Sequence, residues 1–160
     1  MKKVLIIMGS KSDYEVVSKA EAVLDEFGVE RETRIISAHR TPGAAHEIAA
    51  GAEEAGFEAV ICAAGKAAHL AGVIASSTVL PVIGIPMKTS DLGGMDSLLS
   101  TVQMPKGVPV ATVAIGGAEN AALLAIQMMG AKYPELREAF RAYKAKMEED
   151  ILALDAEINA

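Results

Sequence analysis

Five short β-type runs, at 4–8, 33–36, 59–63, 81–85 and 110–115, recur along the chain. Each is followed by a loop of small and polar residues and then by a stretch with helical spacing. Those stretches end near Phe27, Ala55, Ser76, Val102 and Met129. Strand, loop and helix alternating in this way predict a parallel sheet with helices on both faces. Most of the runs are almost wholly apolar, as strands covered on both faces must be. No linker or low-complexity stretch divides them, so residues 1–160 are expected to form a single domain. The segment 134–158 has a different pattern. Leu136, Phe140, Tyr143, Met147, Ile151 and Leu154 fall at spacings of three and four on an otherwise charged helix, which makes an amphipathic stripe. That stripe predicts an extra C-terminal helix, packed either on its own domain or on a neighbouring subunit.

Composition narrows the functional classes. The chain is 51% hydrophobic but only 4% aromatic, with no Trp, so Val, Ile, Leu, Ala and Met must build the core. A mean hydropathy of +0.30 is high for a small monomer and suggests apolar surface buried between subunits. A formal net charge of −6 leaves no basic footprint for nucleic acid. The lone cysteine, Cys62, sits inside an apolar run and reads as a buried filler; without a possible intramolecular disulfide, a cytoplasmic location fits. The first eight residues look superficially like the start of a signal peptide, but the apolar run stops at Gly9-Ser10 and reads as a first strand. No run approaches the ~20 apolar residues of a membrane span.

In an open parallel sheet, the loops that follow strands gather along one edge, where ligands bind. The most informative of them is Ser37-Ala38-His39-Arg40-Thr41-Pro42. Thr41-Pro42 reads as an N-cap with proline at the first helical position. His39 can exchange protons near neutral pH and Arg40 can grip an anion; equally, they could be a turn histidine and a surface cation. Gly9-Ser10-Lys11-Ser12-Asp13 lacks both P-loop and dinucleotide-binding spacing. It offers either a hydroxyl- and amide-rich anion site or simple capping by Ser12 or Asp13. Gly65-Lys66-Ala67-Ala68-His69-Leu70-Ala71-Gly72 has small residues that permit close backbone approach to a ligand. Here His69 reads as a core histidine or a site residue, and Lys66 as a solvated or an anion-binding cation. The stretch 87–100 reads as a flexible polar loop leading into a helix, with Asp96 and Ser97 as caps. His46 reads as a surface residue. No metal-ligand spacing and no acyl-transfer elbow occurs.

Taken in order, these motifs resemble the N5-carboxyaminoimidazole ribonucleotide mutase family. The resemblance is carried by Met8-Gly9-Ser10-Lys11-Ser12-Asp13, Ser37-Ala38-His39-Arg40-Thr41-Pro42, Ala67-Ala68-His69-Leu70 and Leu80-Pro81-Val82-Ile83-Gly84. It continues through Asp96-Ser97-Leu98-Leu99-Ser100, Val102-Gln103-Met104-Pro105 and Gly107-Val108-Pro109-Val110-Ala111-Thr112-Val113. It implies a flavodoxin-like α/β/α sandwich assembled as a homo-octamer. It also implies an isomerase of purine (IMP) biosynthesis that moves a carboxylate from the exocyclic nitrogen of its ribonucleotide to the ring carbon. No metal or organic cofactor is implied. Carried over by position, His39 would be the acid/base. Ser10, Asp13 and Arg40 would bind the ribonucleotide, and Ser37, Gly65, Lys66, His69 and Leu70 would line the pocket.

Two positions depart from the mutase pattern: Lys66 stands where the mutases carry glycine, and Ala71 where they carry proline. A sister class, the aminoimidazole ribonucleotide carboxylases, uses free CO2 and differs in the same loop. Arg40 and His69 match the mutases, whereas Lys66 leaves the carboxylase as the alternative. A non-enzymatic flavodoxin-like nucleotide or flavin carrier is a further reading; the scarcity of aromatics for flavin stacking weighs against it.

Overall fold

In the computed structural model, which describes residues 2–159, five strands form one parallel sheet. They are β1 (Lys3–Met8), β2 (Glu30–Ile35), β3 (Ala59–Ala64), β4 (Val82–Pro86) and β5 (Ala111–Thr112), in the order β2-β1-β3-β4-β5. Six helices accompany them: α1 (Tyr14–Glu26), α2 (Pro42–Gly51), α3 (Leu70–Ala75), α4 (Met95–Val102), α5 (Ala118–Met129) and α6 (Pro134–Ile158). This is the expected flavodoxin-like α/β/α sandwich.

The alternation along each central strand divides the core in two. Val4, Ile6 and Met8 of β1 join Ala59, Ile61 and Ala63 of β3 beneath α1 and α5. Leu5 and Ile7 join Val60 and Cys62 on the opposite face, with Ala45 and Ala49 of α2 and Ile74 of α3. Leu5, Ile6, Ile7 and Ile61 are fully buried, and each such side chain contributes about 1.5–3 kcal/mol on leaving water. Ala118, Ala121, Ala122 and Ala125 give α5 a small-residue face that lies close against the sheet.

The structure extends or trims several expected elements. β2 begins at Glu30 rather than residue 33, because Glu30, Arg31 and Glu32 lie on an edge strand and need not be apolar. Arg31 instead pairs with Asp25 at 2.8 Å and Glu21 at 3.3 Å. β5, the other edge, is only two residues long; its ladder runs from Ile83↔Ala111 to Gly84↔Thr112. α2 stops at Gly51, and turns fill the remainder to Gly56.

Gly84 sits mid-strand in β4 because nothing larger fits there. A Cβ at that position would lie 2.4 Å from Thr101 Cγ2 and 3.1 Å from Val110 Cγ1. The absent side chain lets α4 lie directly on the sheet beside α3. The stripe on α6 is covered only over its first turns. Leu136 is buried, and the rings of Phe140 and Tyr143 lie 6.3 and 5.7 Å from that of Phe27. Farther along, Ile151, Leu154 and Ile158 are exposed.

Candidate active site

The strand order reverses direction between β1 and β3, the point at which an open α/β sheet leaves a crevice at its carboxyl edge. A cavity of about 640 Å3 occupies that crevice. Ser10, Asp13, Ser37, His39, Arg40, Gly65, Lys66, His69 and Leu70 all line it, so the fold brings every site residue expected from the sequence into one place.

Each loop is shaped by short polar bonds. After β1, the Gly9 amide donates to the Ala63 carbonyl at 3.0 Å, joining the first loop to β3. Ser10 caps the 3-10 turn Lys11–Asp13 by accepting from the Ser12 amide at 3.3 Å and from the Ser12 hydroxyl at 2.9 Å. The side-chain cap is thus Ser10 on the 3-10 turn, while Asp13 holds the N-cap position of α1 without a side-chain cap bond. Asp13 is half-buried, and this burial raises its carboxyl above the ordinary value, opposed in part by a hydrogen bond from the Ser10 backbone.

After β2, Thr41 and Pro42 begin α2 as the spacing predicts, but Thr41 makes no side-chain cap. Its hydroxyl turns back and donates to the Ser37 carbonyl at 2.9 Å, while the Ser37 amide donates to it at 3.0 Å. This closes the turn around His39 and Arg40. Ser37 Oγ accepts from the Arg40 amide at 3.2 Å and from Arg40 Nε at 3.3 Å, and Arg40 Nη2 donates to the Gly9 carbonyl at 3.3 Å. The guanidinium is therefore held against the β1 loop, with donor capacity left for an anion.

After β3, the loop places His69 against His39. Their Nδ1 and Nε2 atoms are 2.9 Å apart, and the rings meet edge-on at 80° with centroids separated by 5.0 Å. One nitrogen must donate and the other accept, so the bond belongs to a pair carrying at most one positive charge. Both rings are exposed to the cavity, so neither is a core histidine.

A family model described as AIR carboxylase matches residues 3–150 of this chain. The chain belongs to that family. An N5-carboxyaminoimidazole ribonucleotide mutase of Pyrococcus horikoshii is 58% identical over 94% of this chain and 87% of its own. A protein of the same description from Saccharolobus solfataricus is 54% identical over 96% and 97%. Among solved structures, Treponema denticola PurE superposes with a TM-score of 0.86 at 28% identity, covering 97% of each chain.

In this member of the AIR carboxylase family, the cavity also has walls that the sequence reading passed over. Ser12, Met87, Lys88, Thr89 and Ser90 line it. The last four follow β4 as directly as His39 follows β2, and that placement was the available signal. Asp96 and Ser97 are not caps; Gly94 holds that position in a left-handed conformation. Asp96 accepts from Thr89 Oγ1 at 2.7 Å, and the buried Ser97 donates to the Met87 carbonyl at 2.5 Å, so α4 fastens the β4 loop. Ser100 does the same for the β3 loop. Its oxygen accepts from the Ala68 amide at 2.9 Å, donates to the Asp96 carbonyl at 2.6 Å, and lies 3.3 Å from the Lys66 carbonyl.

Lys66 has φ +55°, the only non-glycine at positive φ among the described residues. That conformation costs a side-chain-bearing residue about 1–2 kcal/mol. His46 lies outside the cavity, 3.1 Å from Ser77 Oγ. Cys62 is sealed in the core, where burial pushes its thiol far above the ordinary range; it has no thiolate to offer as a nucleophile. Among the described residues, no group of three or more His, Cys, Asp or Glu could hold a metal ion, and no helix is long and apolar enough to cross a membrane.

Proposed function

We infer that this protein is an N5-carboxyaminoimidazole ribonucleotide mutase, an isomerase of purine biosynthesis. Near-full-length identity of 54–58% to relatives of that description supports the activity. The observation that carries the chemistry is the pair of histidines touching at 2.9 Å in a cavity that also holds Arg40.

The protein's chemical part in the reaction can be written as two proton transfers. Protonated His39 gives its proton to the carbamate nitrogen of the substrate. The N–C bond then breaks, leaving its electron pair on nitrogen and releasing CO2 beside the electron-rich ring. The ring carbon attacks CO2 to form the new C–C bond. Neutral His39 then takes the proton from that carbon, restoring aromaticity and its own starting state. His69, in contact with His39, orients the imidazole for both transfers. Ser10, Asp13 and Arg40 hold the phosphate and ribose end. Ser37, Gly65 and Leu70 complete the wall that keeps CO2 near the ring and water away from it. The enzyme works in the cytoplasm as a homo-octamer; high mean hydropathy and the bare outer half of the α6 stripe support association.

Two separate incubations test this reading. One supplies the carbamate ribonucleotide while CO2 is scavenged; the other supplies aminoimidazole ribonucleotide with bicarbonate. Efficient conversion in the first is expected. Product forming efficiently only in the second would make the protein a CO2-dependent carboxylase.

A further inference from the structure

The cations of the cavity are not spread evenly. Arg40 follows β2, the edge strand, and lies against the loop after β1. Lys66 follows β3 and Lys88 follows β4, on the other side of the switch point. Strands about 4.8 Å apart put the ends of β2 and β3 roughly 10 Å from each other. Where the loop that carries Arg40 meets the loop that carries Lys66 stands the His39–His69 pair. A cavity charged in this way suits a ligand with anions at both ends and its reacting atoms in the middle.

At the far end, Lys66 is unusual in two respects. It keeps a left-handed backbone that glycine would adopt without penalty, and that backbone bears a cation at the cavity lining. Strain retained at a site lining is a reason to look for a task. Its ammonium is also uncommitted. The partner is Asp91, at a loose 3.9 Å, and both side chains are about three-quarters exposed. A pair of this kind is weak and readily exchanged for a better-placed anion. The backbone, by contrast, is steadied: the Ser100 hydroxyl lies 3.3 Å from the Lys66 carbonyl and accepts from the Ala68 amide.

We propose that Lys66 recognises the migrating carboxylate of the ribonucleotide, leaving Asp91 to do so, and makes the site select carboxylated over uncarboxylated ribonucleotides. This assignment rests on the mutase reading above. The phosphate is gripped at the Arg40 end, and the carboxylate reaches Lys66 only when it is present on the ligand. Arg40 therefore contributes affinity to both ligand forms, and Lys66 to one of them.

Calorimetric titration of the whole protein with 4-carboxy-5-aminoimidazole ribonucleotide and, separately, with 5-aminoimidazole ribonucleotide tests this. The unmodified protein is expected to bind the carboxylated ligand about tenfold more tightly or better, the scale of one charge-assisted contact. Lys66→Gly, which suits the backbone and should melt no lower, is expected to lose most of that preference while holding the uncarboxylated ligand within twofold. Lys66→Arg should keep the preference. Asp91→Asn, which removes the competing carboxylate, should tighten the carboxylated ligand about twofold to fivefold. Equal weakening of both ligands in Lys66→Gly, or no change in either, would overturn the assignment and leave the mutase reading standing. Failure of the unmodified protein to bind either ribonucleotide would overturn both.

Discussion

His39 Nε2 and His69 Nδ1 lie 2.9 Å apart although the residues are thirty positions apart and follow different strands. The contact spans the switch point of the sheet, with the end of β1 running between the two loops. An acid/base pair assembled in this way depends on tertiary structure, and its members can be tested separately from ligand binding.

Replacing His39 by Asn should remove the proton donor and acceptor while leaving the phosphate end intact. Turnover is expected to fall by roughly 10²–10⁴-fold, the usual contribution of a positioned acid/base group, with ribonucleotide affinity largely kept. A rate assay paired with equilibrium binding checks this, and turnover retained in the variant would sink the assignment.

Arg40→Ala has a different signature. Among the described residues, the guanidinium hydrogen-bonds only Ser37 Oγ and the Gly9 carbonyl, so its loss should spare the fold. Charge-assisted hydrogen bonds contribute about 1.5–3 kcal/mol each. Affinity for the ribonucleotide should drop by about ten- to a hundredfold, and a matching rise in KM checks it. Unchanged KM would assign the phosphate to another group.

Asp13 gives a pH prediction. Burial raises its carboxyl in the folded chain, so the folded state binds this proton more tightly than the unfolded state does. The group therefore costs stability while ionised, and that cost disappears as pH falls through the raised folded value towards the ordinary one. Asp13→Asn should remove the cost at neutral pH, raising the melting temperature while weakening ribonucleotide binding. Melting curves at pH 7 and near pH 4 check the sign: the variant's advantage should shrink at the lower pH.

Gly84→Ala should be costly far from any ligand. The new methyl would meet Thr101 Cγ2 at 2.4 Å, and overpacking of that kind costs about 1–3 kcal/mol. Because Ser97 and Ser100 share α4 with Thr101, activity should fall along with stability. Pairing Gly84→Ala with Thr101→Ser, which removes the struck methyl, should restore much of both; chemical denaturation and a rate assay read the two effects.

The central strands were legible because they are buried on both faces. Val4 to Met8 and Ala59 to Ala63 could hardly be anything else in a chain that alternates so regularly. The start of β2 was not, because Glu30 is exposed, Arg31 and Glu32 make ion pairs at the sheet edge, and the three carry no strand pattern. The His39 loop could be placed at the ligand edge from local spacing alone. Its contact with His69 and the bonds from Ser97 and Ser100 to the loops are long-range facts with no local signature, whereas Thr89 and Ser90 carry one in their place just after β4. Ser97 looks like a cap because serine before an apolar run usually is one, and only the packed position of α4 shows that its hydroxyl turns to the Met87 carbonyl of the preceding loop.

Ser100 has a consequence for anyone wishing to move this chemistry elsewhere. The His39 loop is self-contained, since Thr41 and Ser37 close it on itself, and it could be grafted onto another parallel sheet as a cassette. The partner loop could not. Its backbone hangs on a hydroxyl borrowed from a helix one strand farther along. A transplant would therefore carry a lone imidazole, and the working unit for redesign is the whole stretch from β1 through α4.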